Sequence, residues 1–194
     1  MRISKEVAIH WDRRWANDPG RDNPSRFVEG AADYFPPPPA RVVDIAGGTG
    51  RHSVWLAELG NEVTLVDISQ VALGIAQSRA SDRGVEVMTV WRDLEADGLL
   101  PGEWDMVLIH YYLDRNLLIA TKKALAPGGL LVFCQPMELN RDACDATNSH
   151  FVLVWGELAE ITAELDLEVL VQEVGWSESG RPEFRLIARR ASCQ

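Results

Sequence analysis

A buried carboxylate next to a run of glycines carries the strongest chemical signal in this sequence. Asp44 lies inside the apolar run 42–46, which leads directly into Gly47, Gly48 and Gly50. Glycines adopt backbone angles that other residues resist, so a ligand can approach the chain closely there. A buried carboxylate is costly without donors. We therefore expect Asp44 to lie close to a ligand that carries a positive amino group.

A second carboxylate follows the next apolar run. Asp67 ends the segment 62–67 and lies seventeen positions after Gly50. An acid at the tip of the second strand of such a unit accepts hydrogen bonds from the hydroxyls of a ribose. The alternative role is to cap the helix that follows, which Ser69 fills better. The spacing therefore predicts ribose binding at Asp67.

A nicotinamide dinucleotide is the main alternative ligand for these residues. Its fingerprint, G-x-G-x-x-G or A, requires a small apolar residue where this sequence has Ser53. Dinucleotide-binding strands also prefer an apolar residue at the position of Asp44. An oxidoreductase of this type is therefore disfavoured.

The elements that must position these residues alternate along the chain. Strands are predicted over 41–46, 62–66, 85–91, 104–110, 130–134, 168–174 and 183–189. Helices are predicted over 4–16, 25–35, 51–59, 69–81, 114–126 and 157–165, with a tight turn at 127–129. The middle strands are nearly continuous apolar runs, which is typical of parallel strands covered on both faces. The pattern predicts an α/β fold with a doubly wound, mostly parallel, seven-stranded sheet that ends in an antiparallel hairpin.

Length and charge limit the organisation and the partners. The 194 residues are expected to form one domain, with a helical cap over 1–35 and an α/β core over 40–194. A formal net charge of −10 opposes binding to a phosphate backbone, so no nucleic-acid partner is expected. The sequence has no membrane-length apolar run and no signal peptide, so we expect no membrane partner and a cytoplasmic location. Cys134, Cys144 and Cys193 lack disulfide or zinc spacing, and no metal site is indicated.

Four motifs of the sequence resemble those of a known family. Residues 42–50 are similar to motif I of class I S-adenosylmethionine-dependent methyltransferases, apolar-apolar-D-x-G-x-G-x-G, with Ala46 as a departure. Asp67 matches that family's ribose-binding acid, Asp93-Leu94 matches its adenine-binding pair, and 125–132 is similar to its turn before strand five. The resemblance covers most of the chain and implies S-adenosyl-L-methionine as the cofactor. The core residues that it implies for cofactor binding are Asp44, Ala46, Gly47, Gly48, Gly50, Asp67, Ile68, Asp93, Leu94 and His110.

A narrower resemblance lies at the front of the chain. Residues 11–15 and 24–28 are similar to the lead-in of the tellurite-resistance (TehB-like) and thiopurine methyltransferase group. In that group the N-terminal segment folds over the cofactor. Trp11 and Trp15 are then candidates for cation–π contact with the sulfonium, and Arg14 is a candidate partner of the cofactor carboxylate. We expect residues 1–24 to form a mobile lid; a permanently packed helix is the alternative.

The implied function is methyl transfer to a small-molecule nucleophile, such as a thiol, a chalcogen oxyanion or a metabolite hydroxyl. His110, at the end of strand 104–110, is a candidate general base, and Tyr111 is a second catalytic candidate. The alternative for His110 is a backbone-bonded histidine beside the adenosine. The alternative function is a non-catalytic module that binds the cofactor as a sensor or partner subunit. Residues 137–154 match the group poorly and are expected to shape the substrate pocket. Nothing in the sequence indicates the acceptor or the oligomeric state.

Three further residues are weighed for a site role. His52 and His150 are interpreted as surface residues. Arg115 is a candidate for binding an anionic substrate, with coverage of apolar surface as its alternative.

Overall fold

The computed structural model describes residues 2–138 and 152–192. The chain divides into two compact units, Met1–Leu100 and Pro101–Gln194. Within the described ranges, no helix combines the length and the apolar character that crossing a membrane requires.

The first unit holds three parallel strands and five helices. The strands are β1 (Arg41–Ile45), β2 (Glu62–Asp67) and β3 (Val87–Trp91), in the spatial order β3-β2-β1. The helices are α1 (Arg2–Asn17), α2 (Arg26–Gly30), α3 (Arg51–Glu58), α4 (Gln70–Arg83) and α5 (Leu94–Asp97). Ile45 pairs with Val66, and Asp67 pairs with Trp91. The carboxyl ends of the three strands therefore share one edge.

Helix α4 shows why the sequence forms these elements. The hydroxyl of Ser69 accepts a hydrogen bond from the Ala72 amide at 3.1 Å, which confirms Ser69 as the N-cap. At the other end Gly84 adopts φ = 67°, a left-handed conformation that ends the helix without a steric penalty. The buried face of α4 packs against β2, where Leu65 and Leu73 belong to one core cluster.

The second predicted helix is shorter than expected. The prediction over 25–35 is correct only for α2, because a short 3₁₀ turn at Ala32–Tyr34 replaces the remaining turns. The Ala31 amide is shared between the carbonyl oxygens of Phe27 and Val28, at 3.0 and 3.3 Å. This sharing tightens the end of the helix just after Gly30, a poor helix former.

The described residues of the second unit form five strands and two helices. The strands are β4 (Trp104–His110), β5 (Leu125–Glu138), β6 (Leu153–Val154), β7 (Glu168–Trp176) and β8 (Pro182–Arg189); the helices are α6 (Arg115–Ala124) and α7 (Leu158–Leu165). β4 and β5 are parallel, and β8 lies antiparallel between β5 and β7. The predicted terminal hairpin is therefore confirmed.

Strand β5 begins earlier than predicted, and 127–129 belongs to the strand rather than to a separate turn. The Gly128 amide donates to the Arg190 carbonyl at 3.0 Å, and the Arg190 amide donates to the Gly129 carbonyl at 2.9 Å. A Cβ on Gly129 would lie only 2.9 Å from the Trp104 carbonyl oxygen. Glycine serves here because the backbones approach closely.

Two short elements were not predicted, the one-turn helix α5 and the two-residue strand β6, which pairs in parallel with β5. The strands therefore number eight in the described residues, against seven predicted. Residues 139–151 lie outside the described ranges, and they include most of the predicted pocket segment 137–154 together with Cys144 and His150. Cys193 also lies outside them.

Candidate cofactor site

Asp44 is fully buried in β1, with only 1% of its surface exposed. The Ser53 hydroxyl, on α3, donates a 2.6 Å hydrogen bond to its Oδ2 atom. Burial raises the pKa of Asp44 to about 7, although the Ser53 bond acts in the opposite direction. A positive group beside a buried carboxyl with a raised pKa stabilises its ionised form. The site thus fits a ligand that carries an ammonium.

The turn at 46–50, called here the glycine-rich turn, is shaped by this carboxyl. A Cβ on Gly47 would lie 2.8 Å from the Asp44 Oδ2 atom, so the backbone passes directly over the carboxylate. Gly50 adopts φ = 80°, and a Cβ there would lie 2.7 Å from the Ala76 Cβ. Ala46 departs from glycine yet adopts φ = 51°, a conformation that costs a non-glycine residue free energy.

Asp67, at the end of β2, holds the same turn. Its Oδ2 atom accepts from the Gly48 amide and its Oδ1 atom accepts from the Ser69 amide, both at 2.8 Å. Burial raises the pKa of Asp67, while these amide bonds oppose the shift. The sequence predicted Ser69 as the cap at the start of α4. Asp67 also accepts a backbone hydrogen bond there, from the Ser69 amide. Each carboxylate oxygen has two acceptor sites, so the ribose prediction remains compatible with both bonds.

The predicted adenine-binding residues lie after β3. The Oδ1 atom of Asp93 accepts from the amides of Glu95 and Ala96, both at 3.2 Å, and so caps α5. Trp91 was not singled out from the sequence. Its indole Nε1 donates to the Ile68 carbonyl at 2.7 Å, which fixes the backbone just after Asp67.

The predicted N-terminal residues lie on α1. The rings of Trp11 and Trp15 stack with centroids 6.0 Å apart. A Cβ on Gly48 would lie 3.0 Å from the Trp15 Cζ2 atom, so the Trp15 ring lies against the glycine-rich turn. Arg14 forms an exposed ion pair with Asp18 at 3.4 Å, and its guanidinium lies 5.2 Å from the Trp15 ring centroid. Cofactor binding by these side chains stays a prediction, as does the mobile lid.

Two residues that bind the N-terminal segment to α4 were not predicted from the sequence. The Asp12 Oδ1 atom accepts from the Ser69 hydroxyl at 2.6 Å and from the Val71 amide at 3.2 Å. Asp12 therefore adds a second acceptor at the start of α4. Arg79, on the same helix, binds the loop after α1. Both residues resemble ordinary surface charges in sequence, so no local pattern indicated their partners.

The interpretation of His52 as a surface residue is wrong. Its surface is only 3% exposed, and its Nε2 atom accepts a 3.2 Å hydrogen bond from the Ser25 amide. His52 lies on the buried face of α3. There its imidazole is the acceptor for the amide of Ser25, the N-cap residue of α2.

In the second unit, His110 ends β4 and Tyr111 follows it directly. His110 is buried, and its ring centroid lies 4.1 Å from that of Tyr111. Tyr111 adopts φ = 65°, an uncommon conformation for an aromatic residue. Its amide donates to the Cys134 carbonyl at 2.8 Å. Such strain is found at sites where the surrounding structure holds a side chain in one direction.

Glu183 is the hydrogen-bond partner of the Tyr111 side chain and was not predicted from the sequence. The Tyr111 hydroxyl donates to its Oε2 atom at 2.5 Å, and Arg185 Nη2 donates to its Oε1 atom at 2.9 Å. Glu183 is 4% exposed and pairs with Pro136 near the carboxyl end of β5. An acid at the start of an otherwise buried strand was the available signal. By contrast, the candidate anion binder Arg115 forms an ion pair with Glu157 at 2.7 Å.

Within 2–138 and 152–192, no cluster of three or more His, Cys, Asp or Glu side chains is arranged to hold a metal ion.

Comparison with known proteins shows similarity over part of the chain. Residues 42–129 match a family model described as a methyltransferase domain. A demethylmenaquinone methyltransferase of Thermus thermophilus is 41% identical over 106 residues, which cover 48% of this chain and 46% of that protein. The chain spans less than half the length of the first curated relatives that it matches. The resemblance to class I methyltransferases is thus confirmed.

Solved structures confirm the fold. TehB of Haemophilus influenzae matches with a TM-score of 0.72 at 19% identity, over 93% of this chain and 67% of that one. Magnesium protoporphyrin IX methyltransferase of Synechocystis PCC 6803, solved with bound S-adenosylhomocysteine, matches with a TM-score of 0.73 at 17% identity. That match covers 97% of this chain and 99% of the other.

Proposed function

We propose that this chain, with its methyltransferase domain over residues 42–129, transfers a methyl group from S-adenosyl-L-methionine to a small-molecule nucleophile. The acceptor group is a thiol, a chalcogen oxyanion or a metabolite hydroxyl. We infer a single domain over residues 1–194 for this reaction. The observation that carries the proposal is the joint geometry of Asp44, Gly48 and Asp67 at the ends of β1 and β2.

The two carboxylates have separate roles in this proposal. Asp44 lies beneath Gly47 and binds the ammonium of the methionine part, which compensates its buried charge. Asp67 accepts from the ribose hydroxyls while it holds the Gly48 amide. Ile68, Asp93 and Leu94 contact the adenosine, and the backbone of Ala46, Gly47, Gly48 and Gly50 faces the methionine part.

The chain itself has a limited task in the transfer. The cofactor supplies a methyl group that its sulfonium already activates. The residues must align the nucleophile with that methyl group and exclude water. Trp11 and Trp15 offer aromatic faces to a positive sulfonium, and Arg14 exchanges Asp18 for the cofactor carboxylate.

His110 and Tyr111 are the proposed acceptors of the nucleophile's proton. In one route the proton passes from the acceptor O–H or S–H to the His110 imidazole. In the other it passes to the Tyr111 oxygen while the Tyr111 proton moves to the Glu183 Oε2 atom. The 2.5 Å hydrogen bond between Tyr111 and Glu183 supports the second route.

Calorimetry with S-adenosylhomocysteine, followed by turnover with radiolabelled cofactor, tests the function. We expect binding that raises the melting temperature, since a ligand of the native state stabilises it. We also expect label transfer to at least one compound in a panel of thiols, selenite, tellurite and hydroxylated aromatics. Binding without transfer to any compound would favour the sensor or partner-subunit alternative. The absence of binding at millimolar ligand would refute the proposal.

A further inference from the structure

The Arg79 side chain connects the glycine-rich turn with the loop that follows α1. Arg79 lies on α4, and its side chain is 15% exposed. Its Nη1 atom donates to the Thr49 hydroxyl at 2.6 Å and to the Thr49 carbonyl at 3.0 Å. The Arg79 guanidinium therefore binds the glycine-rich turn through both the side chain and the backbone of Thr49.

The same guanidinium also binds the loop that follows α1, defined here as residues 18–22. Its Nη2 atom donates to the carbonyl oxygens of Pro19 and Gly20, at 3.1 and 3.2 Å. It also forms an ion pair with the Asp22 carboxylate at 2.5 Å. The Thr49 hydroxyl completes the link by donating to the Pro19 carbonyl at 2.8 Å.

This link fixes the aromatic ring that faces the glycine-rich turn. A Cβ on Gly20 would lie 3.4 Å from the Trp15 Cζ3 atom, and a Cβ on Gly48 would lie 3.0 Å from its Cζ2 atom. The edge of the Trp15 ring is thus in contact with both the loop and the turn. If the loop moves away from Thr49, Trp15 loses one of the two surfaces that hold it.

Arginine is the residue type that suits this position. Its planar guanidinium presents five donors in a fixed fork, which serves several carbonyl oxygens at once. Lysine carries the same charge as a compact point with fewer donors. The loop carbonyls of Pro19 and Gly20 have no regular secondary structure to bind them, so the guanidinium replaces backbone partners.

We propose that Arg79 is a positioning residue for cofactor binding, which holds the loop 18–22 on the glycine-rich turn and thereby holds Trp15 against Gly48. The inference rests on the proposed function, because it assigns the cofactor to that turn. Arg79 acts through Thr49 and Trp15 and is not itself a cofactor ligand.

The test compares four proteins by calorimetry with S-adenosylhomocysteine: the parent, Arg79→Met, Arg79→Lys and the control Arg83→Met. Arg83 lies one turn further along α4 and forms its ion pair with Glu58, at 2.9 Å, rather than with the loop. We expect Arg79→Met to weaken binding by about tenfold or more, and Arg79→Lys to restore part of the loss. Arg83→Met is expected to bind within about twofold of the parent, as most exposed ion pairs contribute little.

Hydrogen exchange of the ligand-free proteins supplies a second readout. Amides in 18–22 should exchange faster in Arg79→Met than in Arg83→Met, whereas the amides of β1 and β2 should not change. Thr49→Val removes only the hydroxyl link and should produce the same local change. Combined with Arg79→Met, it should add less than its separate effect, since the two side chains share the Pro19 carbonyl.

The outcomes separate this inference from the proposed function. If the parent binds the ligand and Arg79→Met binds equally well, the positioning role is wrong. Unchanged exchange in 18–22 would also overturn it. If Arg79→Met does not fold, Arg79→Lys and Thr49→Val decide by the same measurements. Failure of the parent itself to bind S-adenosylhomocysteine would contradict the proposed function, and the exchange data would still report whether Arg79 holds the loop.

Discussion

The hydroxyl of Tyr111 donates a 2.5 Å hydrogen bond to the Oε2 atom of Glu183, a carboxylate 72 residues away in sequence. Tyr111 immediately follows β4, and Glu183 lies near the start of β8 beside the carboxyl end of β5. Short O–H···O⁻ bonds are among the strong hydrogen bonds of proteins. The Arg185 guanidinium on the other oxygen balances the buried charge. The pair therefore offers a route for a proton at the end of β4.

The first prediction concerns this pair. If Tyr111 receives the acceptor's proton, Tyr111→Phe and Glu183→Gln should each lower kcat by about 10²- to 10⁴-fold, the usual contribution of general acid–base catalysis. The dissociation constant for S-adenosylhomocysteine should change little. Steady-state kinetics across pH, with Glu168→Gln at the exposed start of β7 as a control, measures this. Full activity in Tyr111→Phe would assign the proton to His110 instead, which His110→Ala then tests.

The second prediction concerns pH and Asp44. Its folded-state pKa, about 7, lies above the ordinary value of 3.8, because burial disfavours the ionised form. Its contribution to the free energy of unfolding should therefore fall as pH rises from about 4 to 7, and should level off above 7. A cofactor ammonium beside Asp44 favours the ionised carboxylate. Cofactor affinity should therefore increase as pH rises from about 4 to 7, and the protein should not take up a proton on binding. Calorimetry in buffers of different ionisation enthalpy should instead detect proton release below pH 7.

The Asp44→Asn variant is the control for that measurement. It cannot ionise, so the part of the pH dependence that Asp44 causes should disappear, and binding should be weak at every pH. A parent whose affinity does not vary between pH 5 and 8 would contradict the assignment of the ammonium to Asp44.

The third prediction concerns Asp67. Replacing Asp67 with Ala should weaken cofactor binding by about 1.5 to 3 kcal/mol, the usual loss for hydrogen bonds to a charged group. The Gly48 and Ser69 amides lose an acceptor as well, so some loss of thermal stability is expected. Glu62→Ala, at the exposed start of the same strand, is the matched control. Equal binding by the two variants would show that the ribose assignment is wrong.

The fourth prediction compares two neighbours in the glycine-rich turn. Ala46→Gly should leave stability unchanged or raise it by up to about 1 kcal/mol, because φ = 51° costs alanine more than glycine. Gly47→Ala should lower both stability and cofactor affinity, since its Cβ would lie 2.8 Å from the Asp44 carboxylate. Thermal denaturation and calorimetry of both variants check the opposite signs. A stable Gly47→Ala that binds normally would contradict the described packing.

The fifth prediction concerns the N-terminal helix. If residues 1–24 act as a lid, amide exchange in 4–16 should slow when S-adenosylhomocysteine binds. Deleting residues 1–16 should then leave a folded core that binds the cofactor poorly. The Asp12–Ser69 contact gives the packed-helix alternative a physical basis. Equal exchange with and without ligand, together with unfolding on deletion, would establish that alternative.

Sequence reasoning succeeded where the decisive interactions are local. The strands β1, β2 and β4 and the cap at Ser69 follow from apolar runs and neighbouring polar residues, so a short window contains the information. It was less accurate at 127–129, where a proline and two glycines suggested a turn. There the strand continues because a distant backbone, at Arg190, supplies the hydrogen bonds.

The amino-acid pattern alone predicted the α/β fold class, the resemblance to class I methyltransferases, and the position of Asp44, the glycine-rich turn and Asp67 near the ends of neighbouring strands. The side chains that hold these groups in place, by contrast, are brought together only by tertiary contacts. Asp12 and Ser69 are 57 residues apart, Arg79 and Thr49 are 30 apart, and Tyr111 and Glu183 are 72 apart. None of these pairs has a local pattern, because a long-range hydrogen bond depends on where folding brings two surfaces together. The burial that raises the pKa of Asp44 is likewise a property of the packed domain.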